Sequence, residues 1–198
     1  MKGSNPNLVR DRFLNTLLEI ADQVKKNSSA IEINKVLELI DLIIKVDSND
    51  GRIFIYGAGR SGFIGRCFAQ RLMHLGIKSC FVSDAVTYRY SRKDLLVLIS
   101  GSGETTSSKA IAEEAKRIGG KIVTLTGNSK SSIALLSDFI IKVEGKSKDI
   151  ATSKESLAPF TSLFDISTLS TLDSIGASLM VLLAISERDI SERHASIE

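Results

Sequence analysis

The spacing of apolar positions changes along the chain, and each change predicts an element. Leu14, Leu17, Leu18, Ala21 and Val24 recur at helical spacing, and Ile33, Val36, Leu37, Ile40, Ile43 and Ile44 do so again after a break at 27–30. Ser29, with Glu32 three positions on, reads as a capping box opening the second of these helices. Beyond a turn cluster at 47–51 the period is lost: Ile53, Phe54, Ile55 and Tyr56 are apolar without alternation, as in a parallel strand buried on both faces. Gly57-Ala-Gly-Arg-Ser-Gly62 follows, then a helix to about His74 that Gly76 stops. The unit then repeats. A short strand is expected at 79–82, a strongly apolar one at 95–99 and a helix ending at Gly119-Gly120. Strands at 121–125 and 139–143 flank a short helix at 131–136, and a long apolar-periodic segment runs from about Pro159 to Ile185 before a polar tail.

Alternating strands and helices imply an α/β fold, a three-layer α/β/α sandwich around a five-stranded parallel sheet with right-handed crossovers. The expected organisation is a single domain: N-terminal helices over 1–47, a doubly wound, flavodoxin-like core over 52–143, and a C-terminal helix and tail over 159–198. In such sheets ligands sit outside the carboxyl ends of the strands, which directs attention to the loops after Tyr56 and Ile99.

Composition narrows the function classes. At 198 residues, 43% hydrophobic and 25% charged, the chain is long enough to bury about 70% of its unfolded surface without staples. Cys67 and Cys80 form no disulfide framework and are too few for a structural zinc site; both are assigned to packing, and a reducing cytoplasm is the expected setting. The net charge of +3 is mixed along the chain, with no basic stripe for nucleic acid. No apolar run approaches the roughly 20 residues of a membrane span, and the polar N-terminus does not read as a signal peptide.

The first glycine loop matches GxGxxG through Gly57, Gly59 and Gly62, a weak pattern by itself. A dinucleotide would require a ribose-binding acid further on, and Asp84 is the candidate. The second loop, Ser100-Gly-Ser102-Gly103-Glu-Thr105, is more informative. Its glycines let backbone amides turn toward an anion, the helix it opens adds partial positive charge, and three hydroxyls can donate to phosphate oxygens. No lysine follows as in a Walker A loop, so a compact terminal phosphate fits better than a metal-bound triphosphate.

SGSGET at 100–105 resembles the phosphate loop of the sugar isomerase (SIS) domain family, and Gly59-Arg60-Ser61 stands where that family's first-strand loop supplies another serine. FIYGAGRSGFIGRCFAQRLMHLG at 54–76 is similar to the signature of its 6-phospho-3-hexuloisomerase branch. Lys146-Ser-Lys148, PFTSLFD at 159–165 and Arg193-His194 extend the likeness over nearly the whole chain. The resemblance implies a cofactor-independent ketose-phosphate isomerase of the ribulose monophosphate pathway, interconverting 3-hexulose 6-phosphate and fructose 6-phosphate. It also implies a homo-oligomer, a tetramer with shared active sites. Apolar surface on the helices at both ends of the chain points to self-association as well. The competing readings are a phosphosugar-sensing module, an isomerase of another phosphosugar, and a nicotinamide-dependent oxidoreductase.

Moving a carbonyl from C3 to C2 requires a base, a proton carrier between the oxygens and donors for enediolate charge, with no redox equivalent consumed. The resemblance places the base, usually a glutamate, where this chain has Asp165. Aspartate is one methylene shorter, so its helix must lie closer or a water must intervene; Glu155 is the alternative carboxylate. His194 is preferred over His74 as proton carrier because imidazole titrates near neutrality and the resemblance covers the terminal Arg-His pair. Arg60 sits at a helix start, where the dipole disfavours a cation, so a partner or substrate is expected to hold it there. Gly59, Ser61, Ser100, Ser102, Gly103 and Thr105 complete the expected substrate-binding set.

Overall fold

Five parallel strands form the centre of the protein. A computed structural model describes residues 5–145 and 156–196. Its strands are β1 (Ile53–Gly57), β2 (Ser79–Phe81), β3 (Leu95–Ile99), β4 (Lys121–Thr126) and β5 (Phe139–Lys142), in the order β2-β1-β3-β4-β5. The helices are α1 (Pro6–Ala30), α2 (Ile33–Ser48), α3 (Arg60–His74), α4 (Thr106–Ile118), α5 (Ser132–Leu136), α6 (Ser162–Leu182) and α7 (Glu187–Glu192). Every strand pair is parallel, which fits the continuous apolar runs read from the sequence.

Side-chain alternation along the strands makes two cores. Ile53, Ile55, Leu95, Val97, Ile99, Val123 and Leu125 face one layer with α2, α3, α6 and α7, whereas Phe54, Leu96, Leu98 and Ile122 face Ala112 and Ala115 of α4 and Ile133 of α5. Gly176 of α6 lets that helix approach α3 closely, since a Cβ there would lie 2.9 Å from Arg71 Cγ. The chain between β2 and β3 forms no helix; Tyr90 from this stretch meets Phe54 edge-on and donates to the Lys121 carbonyl at 2.9 Å.

Two expectations need correction. The first helix continues through the proposed break to Ala30, and the cap of α2 is Glu32 with no side-chain hydrogen bond, so the Ser29–Glu32 box does not form. What carries the helix on is tertiary: Asn27 is buried, donating to the Glu144 carbonyl at 2.7 Å and accepting its N–H at 2.8 Å. The apolar stripe of α1 faces outward, the exposed apolar surface expected of this end of the chain. Thr16, Glu19, Gln23 and Asn27 hold the helix to backbone at 144 and 157–158, while Leu8, Val9, Phe13, Leu14, Leu17 and Leu18 are exposed. Finally, Cys67 is exposed rather than packed, because α3 turns Gly65, Phe68 and Leu72 inward instead, whereas half-buried Cys80 on β2 does pack against the second core. Among the described residues no helix is long and apolar enough to cross a membrane.

Candidate active site

With β1 and β3 adjacent and their connections leaving in opposite directions, the crevice at their carboxyl ends is the switch point of the sheet. Gly57 pairs with Ile99 there, so both glycine loops emerge side by side.

The loop after β1 is shaped by close backbone approach. A Cβ on Gly57 would lie 2.7 Å from the Ser61 carbonyl oxygen, and one on Gly62 would lie 2.6 Å from the Gly57 carbonyl oxygen. Gly59 has φ 57° and ψ −129°, a region open essentially to glycine alone, and a Cβ on it would meet nothing within 4 Å. That turn delivers Arg60 and Ser61 to α6. Asp165, only 1% exposed, accepts from Arg60 Nε at 2.9 Å and Thr161 Oγ1 at 2.7 Å on Oδ2, and from Ser61 Oγ at 3.2 Å on Oδ1. The unfavourable placement of a cation at a helix start is thereby offset by a buried carboxylate. Arg60 remains 60% exposed, and among the described residues its terminal nitrogens bond to nothing.

The loop after β3 is packed from behind. Gly103 has φ 66°, and a Cβ on it would fall 1.9 Å from Ser131 Oγ, so no other residue fits without rearrangement. Gly103 N–H donates to Ser100 Oγ at 3.2 Å, and Ser100 Oγ lies 3.4 Å from Thr105 Oγ1. Glu104 turns away from the crevice and accepts from Ser132 N–H at 2.8 Å and Ser132 Oγ at 2.7 Å. The Ser132 hydroxyl and then its N–H hold the Glu104 carboxyl below its ordinary value. Thr105 is the N-cap of α4 yet makes no capping hydrogen bond, which leaves first-turn amides of a 13-residue helix open beside three hydroxyls. Such a cradle suits an anion.

The structure thus brings Gly59, Arg60, Ser61 and Asp165 together, beside Ser100, Ser102, Gly103 and Thr105. It does not bring His194 to them. His194 packs on buried His74 with ring centroids 4.1 Å apart, and Arg193 Nη1 donates to the His74 carbonyl at 3.0 Å. That pair sits at the far end of α3, about 21 Å along the helix from Arg60, so at this site either histidine would have to come from a second copy. Asp84 is paired with Arg66 at 2.9 Å instead of standing free for a ribose. Glu155 and Lys146-Ser-Lys148 lie outside the described residues. Two contributors escaped the sequence reading: Thr161, whose signal is its place one turn before Asp165, and Glu104, whose partner Ser132 is 28 positions away.

The SIS domain model matches residues 48–185. The 3-hexulose-6-phosphate isomerase of Methanocaldococcus jannaschii is 41% identical over 164 residues, 83% of this chain and 84% of its own. The enzyme of that name from Bacillus subtilis is 33% identical over 181 residues, 91% and 96% of the two chains. A Methanococcus jannaschii crystal structure, from which a 3-hexulose-6-phosphate isomerase function was inferred, superposes with a TM-score of 0.78 at 38% identity, covering 93% of this chain and 98% of that one.

Proposed function

Because the chain belongs to the SIS domain family of phosphosugar isomerases, we propose that it interconverts 3-hexulose 6-phosphate and fructose 6-phosphate. The observation that carries this reading is the 41% identity, over most of both chains, with a relative named for that substrate. The geometry suits the chemistry. Hydroxyls of Ser100, Ser102 and Thr105 and the open amides of α4 take the phosphate, leaving the sugar carbons toward Gly59 and Arg60. Removal of the C2 proton moves its electron pair into a C2–C3 enediolate; transfer of the O2 proton to O3 and return of a proton at C3 complete the shift of the carbonyl to C2. The open guanidinium edge of Arg60 stabilises the enediolate charge.

Asp165 is assigned the proton transfer. Its Oδ1, engaged among the described residues by Ser61 alone, becomes available when that hydroxyl turns to the sugar. A second copy of the chain covers the outward apolar face of α1, in the tetramer that the sequence suggests. The test couples ribulose 5-phosphate and formaldehyde through a hexulose-phosphate synthase and follows fructose 6-phosphate on adding this protein. Accumulation is expected. Binding of fructose 6-phosphate without turnover would instead indicate a sensing module, and turnover of a different phosphosugar alone would reassign the substrate. Asp165→Asn is expected to abolish C2 proton exchange in deuterated water while phosphosugar binding persists; continued exchange would move the base to Glu155.

A further inference from the structure

Thr161 is strained. It has φ 68° and ψ −17°, the left-handed region, where a β-branched side chain is disfavoured and glycine would sit freely. A residue held there needs a compensating interaction, and such strain collects at functional sites.

The compensation is visible one turn on. Helical side chains lean toward the N-terminus, so Asp165 reaches back over residue 161. Being short, its carboxylate stays close to its own helix, and the Thr161 hydroxyl donates to Oδ2 at 2.7 Å. The same oxygen accepts Arg60 Nε at 2.9 Å. A donor fixed on the α6 side of Oδ2 limits the direction from which the guanidinium can approach. Arg60 is therefore held through its Nε, with its terminal nitrogens unbonded among the described residues.

We propose that Thr161 is a positioning residue, whose hydroxyl locks the Asp165 carboxylate and through it sets the Arg60 guanidinium for the isomerase reaction. Its kinetic half rests on the function proposed above; its geometric half does not. Three variants separate the hydroxyl from the backbone. Thr161→Gly suits the left-handed conformation best but lacks the hydroxyl, Thr161→Val keeps the branch without it, and Thr161→Ser keeps the hydroxyl alone. A purely structural turn residue predicts that glycine works at least as well as threonine.

The hydroxyl role predicts that Thr161→Ser stays within about 3-fold of wild-type kcat, while Thr161→Gly and Thr161→Val lose about 10-fold or more with KM little changed. Full turnover by Thr161→Gly would overturn the proposal. A crystal structure of Thr161→Gly is the companion measurement and needs no substrate: the proposal expects the Arg60–Asp165 bond to be broken or shifted, and its persistence unchanged overturns the proposal. Should the wild-type protein fail to turn over 3-hexulose 6-phosphate, the functional reading falls, and the crystal structure still decides the role of Thr161.

Discussion

The loops after β1 and β3 leave neighbouring strands at one end of the sheet, yet they are fixed by different means. The β1 loop carries charge and is held by a partner 105 positions away, Asp165 on α6, with open space in front of Gly59. The β3 loop directs no side-chain charge into the crevice and is held from behind by the segment opening α5, through Gly103 against Ser131 and Glu104 on Ser132. One loop is held through a charged pair with a distant helix; the other is a rigid cradle packed from behind. Under the proposed function this divides labour, because the reacting atoms need a preorganised charged group whereas the phosphate needs a set of hydrogen-bond donors.

The most damaging test of the rigid cradle is Gly103→Ala. The added methyl meets Ser131 Oγ at 1.9 Å and its Cβ at 2.4 Å, at a φ of 66°. Overpacking and left-handed strain together should cost about 3 kcal/mol or more, read as a fall in urea midpoint with an unchanged slope. A midpoint equal to wild type would mean that the cradle yields, and the contrast between the loops would be lost. Arg60→Gln probes the other side. Removing the cation leaves the buried Asp165 carboxylate without its charged partner, so the midpoint should fall as well, and kcat should drop about 100-fold with little change in KM. A change confined to KM would place Arg60 with the phosphate ligands instead.

Ser102→Ala should be milder. Its hydroxyl accepts Glu104 N–H at 3.3 Å, a long contact, so the loop keeps its shape without it. Losing one donor to a charged phosphate predicts about a 10-fold rise in KM at nearly constant kcat. A kcat effect as large as that of Arg60→Gln would show that the two loops do not divide the work.

The β3 loop was the more legible of the two in the sequence, although the contacts with Ser131 and Ser132 that make it rigid were not. Its determinants are contiguous: the apolar run Leu95–Ile99, then glycines and hydroxyls in consecutive positions, then a helix. Strand positions were readable likewise, because a doubly buried strand leaves an unbroken apolar run. The β1 loop showed its glycines but not its partner geometry, since the bond between Arg60 and Asp165 joins distant segments and depends on how α6 packs on α3. Thr161 was invisible as a strained residue because nothing local to PFTSLFD demands a positive φ. How α1 is held to the rest of the protein was hidden for a related reason. Helical periodicity reports a stripe but not which side of it meets the protein, and here Asn27 and Glu19 bond the inner side.

Gly59→Ala is the finest probe of the comparison, because Gly59 and Gly103 share a positive φ and differ in their surroundings. At Gly59 a Cβ would meet nothing within 4 Å, so only the backbone conformation opposes it, and stability should fall by about 1 kcal/mol. The empty space gives the substitution a second use. If the sugar lies in front of this loop, the methyl also occupies ligand volume, and affinity for fructose 6-phosphate measured by calorimetry should fall although the protein remains folded. Unchanged affinity alongside a lowered midpoint would put the sugar elsewhere, leaving the β1 loop to act through Arg60 alone.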